Sequence, residues 1–151
     1  MGAQIILIPK EAKAVPGNSF RPPADLSDPL KRKEISPTAI KMFGCITDHW
    51  ALTEAQSLAL LGGVAPPTYH FWRTAPEGRE LNQDTLTRVS LVIGIYKALH
   101  GYFSDSLADG WIRYVNRAPM FSGRTPVDLI QERIPGLFQM RRMLDGWRAG
   151  Y

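Results

Sequence analysis

Cysteine is nearly missing from this chain: Cys45 is the single one in 151 residues. One thiol excludes an internal disulfide framework and a cysteine-rich zinc site, so a reducing compartment is expected. Cys45 sits among Met42, Phe43 and Ile46, and a free cysteine in such company is expected as a small core residue. Long apolar runs are missing as well. Nothing approaches the roughly 20 residues that span a bilayer. Ile5, Ile6, Leu7 and Ile8 form the most apolar short run, but it stops at Pro9, too soon for the apolar stretch of a signal peptide. A soluble, cytoplasmic protein without a membrane partner is the expectation.

The residues of common catalytic chemistry are scarce too. The three histidines, His49, His70 and His100, have no acid or cysteine at metal-ligand spacing, which gives no metal site. There is no phosphate-binding glycine loop, no dinucleotide fingerprint and no serine elbow. Asp105 and Asp109 lie one helical turn apart, but Asp105 belongs to a helix start, where a negative charge suits the helix dipole. The chain therefore reads as a non-enzymatic binding protein that needs no cofactor.

What is present is unevenly spread. Six of the 12 prolines (Pro9, Pro16, Pro22, Pro23, Pro29 and Pro37) fall in the first 37 residues. Proline blocks helix propagation and removes a backbone donor, so residues 1–35 read as an extended arm, with Lys31, Arg32 and Lys33 as a small basic run near its end. The run Ile5–Ile8 suits an edge strand or a partner-binding arm. A hydrophobic fraction of 44% is enough for a real core, which must be assembled from later residues. Charge is uneven as well. Residues 1–84 carry nine cations and nine anions; residues 85–151 carry nine cations against five anions, which accounts for the whole net charge of +4. Eight of those nine later cations are arginine, the cation favoured at protein interfaces and phosphate sites.

From Ser36 the pattern is helical. Ser36 and Pro37 read as a cap and a first helical residue, followed by Ile40, Phe43, Ile46 and Trp50 at helical spacing. Thr53 to Gln56 fits a capping box; Ala55, Leu58, Ala59 and Leu61 give that helix an apolar face, and Gly62–Gly63 ends it. Pro66 opens a third helix with Tyr69, Phe71 and Trp72. Asp84 or Thr85 caps a long fourth helix whose apolar residues, Leu86 through Phe103, cover most of its circumference, as in a helix buried on most sides. Gly94 within it predicts a close helix crossing. Further helices follow from Ser104 or Asp105 and from Thr125–Pro126, then a break at Pro135–Gly136, then a last helix carrying Leu137, Met140, Leu144 and Trp147. No strand-like alternation persists, so the fold class is all-α: a small helical bundle with an arm at 1–35, a helix-turn-helix-like unit at 36–80 and a helical C-terminal domain at 84–151.

Two segments carry binding signatures. Residues 50–72 read as helix, glycine turn, helix, the helix-turn-helix pattern, in which Tyr69, His70 and Arg73 are the candidate DNA-groove contacts. The charge over residues 50–80 is poor for DNA, with Arg73 and Arg79 against Glu54, Glu77 and Glu80, and a core-building, DNA-silent unit is the competing reading. The second segment runs from Trp111 through Asn116, Phe121, Gly123, Thr125 and Pro126 to Ile130, preceded by Phe103, Ser104 and Asp105. Physically, these residues build a tight turn and a proline-started helix.

On these residues, with Leu144 and Gly150 near the end and Ala55, Gln56, Leu60 to Gly62, Thr68, Trp72 and Arg73 upstream, the chain resembles the MbcA/ParS/Xre antitoxin family. The resemblance covers residues 38–151 and is densest over 103–130. It implies an Xre-like helix-turn-helix followed by a toxin-binding domain. It further implies a dimer that covers the cleft of a RES-domain toxin, an enzyme that degrades NAD or transfers ADP-ribose from it. Contact to that toxin is expected from Arg113, Arg117 and Arg124 and from the tip Trp147, Arg148, Gly150 and Tyr151. Promoter DNA is the alternative partner, bound in autorepression.

Overall fold

The computed structural model describes residues 25–116, 119–132 and 134–148, and among them the secondary structure is helical with no strand. The chain is all-α, a small bundle. No helix among the described residues is long and apolar enough to cross a membrane. Residues 25–93 and 94–148 form two compact units, and the division falls between Ile93 and Gly94, inside one helix, rather than at the 80–84 connection that the sequence suggests.

In the first unit, α1 (Pro29–His49) starts earlier than Ser36. Asp28 is its cap, accepting the Leu30 N–H at 2.9 Å, and Pro29 supplies the first helical residue. Seven residues assigned to the arm thus belong to its first turns, and Pro37 lies inside the helix. Ser36 does not cap. Its hydroxyl donates to the Arg32 carbonyl and accepts the buried Leu81 N–H at 2.9 Å, tying the segment before α4 to α1. Ala39, Ile40, Phe43, Ile46 and Trp50 face the core, whereas Cys45 is exposed, contrary to its expected place inside. At about 100° per residue, Cys45 falls off the stripe set by Ile40, Phe43 and Trp50.

α2 (Glu54–Leu60) has the expected capping box: Thr53 Oγ1 accepts the Gln56 N–H at 3.1 Å and Gln56 Oε1 accepts the Thr53 N–H at 2.9 Å. Its buried face is Ser57, Leu60 and Leu61, with Ala55 exposed, so of the expected stripe only Leu61 is fully buried. Gly62 and Gly63, at φ +93° and +86°, turn the chain where a side chain would be strained. α3 (Pro66–Thr74) follows. α4 (Gln83–Tyr102) is capped by Asn82, whose Oδ1 accepts the Thr85 N–H at 2.8 Å, two or three residues before the expected cap.

The second unit begins with the latter part of α4 and adds α5 (Asp105–Trp111), a 3-10 turn (Pro119–Phe121), α6 (Pro126–Glu132) and α7 (Ile134–Arg148). Gly94 does meet a close neighbour, the Arg141 guanidinium of α7, which donates to the Gly94 carbonyl at 2.5 Å. Pro135 and Gly136 do not break the chain; they form the first turn of α7, where proline's missing N–H costs nothing. Gly136 is there for space: a Cβ on it would lie 2.2 Å from the Leu129 carbonyl oxygen. Leu137, Met140, Leu144 and Trp147 are buried as the spacing predicts.

Candidate functional site

The two candidate surfaces belong to different units. In the first, α3 is held to α1 by an edge-to-face contact of Tyr69 on Phe43, with centroids 6.1 Å apart. Tyr69 is therefore core: it is 4% exposed, and burial lifts its phenol above the ordinary tyrosine range, with Thr47 and Arg73 pulling the other way. Such a side chain has no free edge to read a base. His70 and Arg73 are exposed, but each already meets a carboxylate. His70 Nε2 pairs with Glu54 across the α2–α3 turn, and Arg73 pairs with Asp48 at 3.1 Å while its guanidinium lies over the Tyr69 ring. Lys41 is likewise joined to Glu77 at 2.6 Å. Exposed pairs of this kind hold little free energy, about 0–1 kcal/mol each. Their effect is on charge: α3 offers little net positive potential. The exposed aromatic of α3 is Phe71, half covered by Arg79 stacked 3.8 Å from its centroid.

The second surface is built on an aromatic cluster. Trp111, at the end of α5, packs edge-on against Phe121 at 6.2 Å and Trp147 at 5.9 Å. Trp147 in turn meets Tyr102 at 5.7 Å and Phe103 at 6.3 Å, and the Tyr102 hydroxyl donates to the Leu144 carbonyl at 2.6 Å. Backbone bonds close the segment between Trp111 and Ile130 on itself: Val127 N–H donates to Ile112 at 2.9 Å and Asn116 N–H to Arg124 at 3.4 Å. Thr125 and Asp128 cap α6 reciprocally at 3.3 Å. The turn residues singled out in the sequence thus come together as one packed scaffold.

The proposed contact residues are distributed differently. Arg113 is exposed, with no ion pair among the described residues. Arg124 is half-buried, its Nε donating to the Phe121 carbonyl at 3.3 Å, so it serves the turn. Trp147 is 7% exposed and belongs to the aromatic cluster rather than to a projecting tip. Arg117, Gly150 and Tyr151 lie outside the described residues, as does the side chain of Arg148. Two residues that the sequence reading passes over stand out. Phe138 is 47% exposed, and Arg142, one turn on along α7, is exposed with no ion pair among the described residues. The signal was in the sequence: Leu137, Met140 and Leu144 define the inner stripe of α7, which turns 138 and 142 outward. Arginine and aromatics side by side are the enriched anchors of protein interfaces.

Among the described residues, no group of three or more histidine, cysteine or acidic side chains is arranged to hold a metal. No family model matches the chain. It is similar to an uncharacterized protein, y4oB, of Sinorhizobium fredii (strain NBRC 101917 / NGR234): 32% identical over 126 residues, which is 82% of this chain and 95% of y4oB.

Proposed function

The chain belongs to the family of y4oB, and we propose that it acts as an antitoxin, a cytoplasmic protein-binding partner that neutralises a RES-domain, NAD-using toxin by covering its active-site cleft. The observation that carries this reading is the contrast within 94–148. The described residues between Trp111 and Ile130 close on one another through aromatic packing and backbone bonds, while Arg113, and Phe138 and Arg142 of α7, are exposed. A fixed scaffold lowers the ordering cost of binding, and exposed arginine and aromatic side chains supply anchors. This geometry agrees with the family resemblance of the same segment. The reading also includes a homodimer and no catalytic step by this chain. Binding of promoter DNA through α3 is the weaker reading, because His70 and Arg73 are already engaged with Glu54 and Asp48 and counterion release needs unspent cations.

Growth on co-expression with a cognate RES-domain toxin tests the reading. The unaltered chain is expected to restore growth, and Phe138→Ala with Arg142→Glu to weaken that protection at least tenfold in viable counts. Deletion of 149–151, which spares Trp147, separates the tail from the core. Failure of the unaltered chain to protect, with both proteins folded and expressed, would sink the antitoxin reading.

A further inference from the structure

His100 ends α4 in an arrangement that neither the helical pattern nor the binding surface requires. Its Nδ1 lies 3.0 Å from Asp105 Oδ1 and its Nε2 lies 2.8 Å from Asp109 Oδ1. Both acids belong to α5. A carboxylate only accepts hydrogen bonds, and a neutral imidazole has one N–H to give. Both contacts are hydrogen bonds only when both ring nitrogens carry a proton. The neutral ring can keep one of them and turns a lone pair toward the other carboxylate.

Three further features bear on this corner. His100 lies in the last turn of a 20-residue helix, and Asp105 in the first turn of the next; a cation at the former and an anion at the latter both suit the helix dipoles. The Tyr96 ring, one turn back, lies 4.2 Å from the imidazole centroid, a distance at which a cationic ring is attracted to an aromatic face. Finally, α5 is weakly held by itself. It has seven residues, and its N-cap Ser104 makes no side-chain cap bond. A helix so short does not persist without tertiary contacts. Yet it delivers Trp111 into the aromatic cluster. On α4 the neighbouring charged residue is Lys97, exposed one turn before His100, and Arg141 of α7 is occupied by Gly94 and Asp145.

We propose that His100 is a proton-dependent latch that fastens α5 to the end of α4, closed by two charge-assisted bonds when the imidazole is protonated and half open when it is not. The inference does not depend on the antitoxin reading. It makes the ordering of α5, and with it the seat of Trp111, respond to the protonation of the imidazole. The direction is fixed by the chemistry. The latch is closed while both ring nitrogens carry a proton and both carboxylates are ionised, and it opens when the imidazole gives one proton up.

Amide hydrogen exchange of the full chain, corrected for intrinsic rates, reads this directly, since local opening of a short helix is reported by its own amides. Protection of residues 106–111 is expected to fall about tenfold between pH 5.5 and pH 8.5, the scale separating a charge-assisted from a neutral hydrogen bond, while the amides of α7 change little. His100→Gln and, separately, Asp109→Asn are expected to show low protection in α5 at both pH values. His70→Gln, which removes the other paired histidine, is expected to keep the unaltered response. Equal protection of α5 at the two pH values in the unaltered chain overturns the latch, as does an undiminished pH response in Asp109→Asn. The second variant keeps the test decisive should His100→Gln not fold.

Discussion

The two units treat charge in opposite ways. In residues 25–93 most cations pair with nearby anions on the surface, Lys41 with Glu77, His70 with Glu54, Arg73 with Asp48, Arg32 with Glu80 and Arg88 with Asp84, while Lys33 and Arg79 have no ion pair among the described residues. In residues 94–148 the acids are engaged internally, Asp105 and Asp109 by His100 and Asp145 by Arg141. Arg113 and Arg142 are left outside without an ion pair among the described residues. The net charge of +4 is therefore not smeared over the molecule. Residues 25–93, which look like a nucleic-acid reader, hold seven cations against eight anions, whereas residues 94–148 hold eight cations against five anions. That balance of charge separates the two readings better than the helix pattern does.

That contrast can be broken in three places. The largest effect is expected in the aromatic unit. Trp147→Ala removes a side chain packed against three aromatic rings and should cost about 3–5 kcal/mol in a denaturant titration, as large-to-small core changes do. A stable Trp147→Ala variant that had lost only partner binding would return Trp147 to the contact surface. A smaller effect belongs to Tyr69. Its phenol is held above its unfolded value by burial, so the native state binds that proton more tightly. Stability is then intact below about pH 10 and declines as pH rises beyond it. Tyr69→Phe should flatten that alkaline decline in pH-dependent melts; an unchanged decline would mean the phenol is not what titrates. The smallest effect is expected at the surface pairs. Arg73→Ala should change stability by less than about 1 kcal/mol. It should also leave binding to a duplex of the promoter region unaltered in a salt-dependent gel shift. Loss of a specific, salt-sensitive complex on Arg73→Ala would restore α3 as a DNA reader.

Much of the fold was legible because it depends on local rules. Thr53 with Gln56 and Thr125 with Asp128 cap their helices as the residue types dictate, and the stripe Leu137, Met140, Leu144 and Trp147 is buried in order. Two of the misreadings share a cause: a residue whose role is set by a neighbour outside its own helix. Ser36 looks like a cap because serine before proline commonly is one; its hydroxyl instead serves Leu81, 45 residues away. Pro135 and Gly136 look like a stop, but Gly136 is there because Leu129 leaves no room for a Cβ. At the candidate surfaces, the scaffold residues Trp111 and Phe121 could be picked out from type and spacing. That Tyr69 is core and that His70 and Arg73 are engaged depend on tertiary packing, which a single chain of letters encodes only through its full solution.

The placement of the unit boundary inside α4 has a consequence for how the protein can be taken apart. Leu86, Val89 and Val92, all buried, come from the half of α4 that belongs with residues 25–93. A gene fragment cut at the proline- and glycine-marked stretch 76–82, the natural choice from the sequence, would strip the N-terminal unit of part of its own core. The two units are consequently not interchangeable cassettes. Recombination that swaps one for a foreign counterpart must carry a half-helix with it, and a hybrid α4 must keep the register of both halves at once.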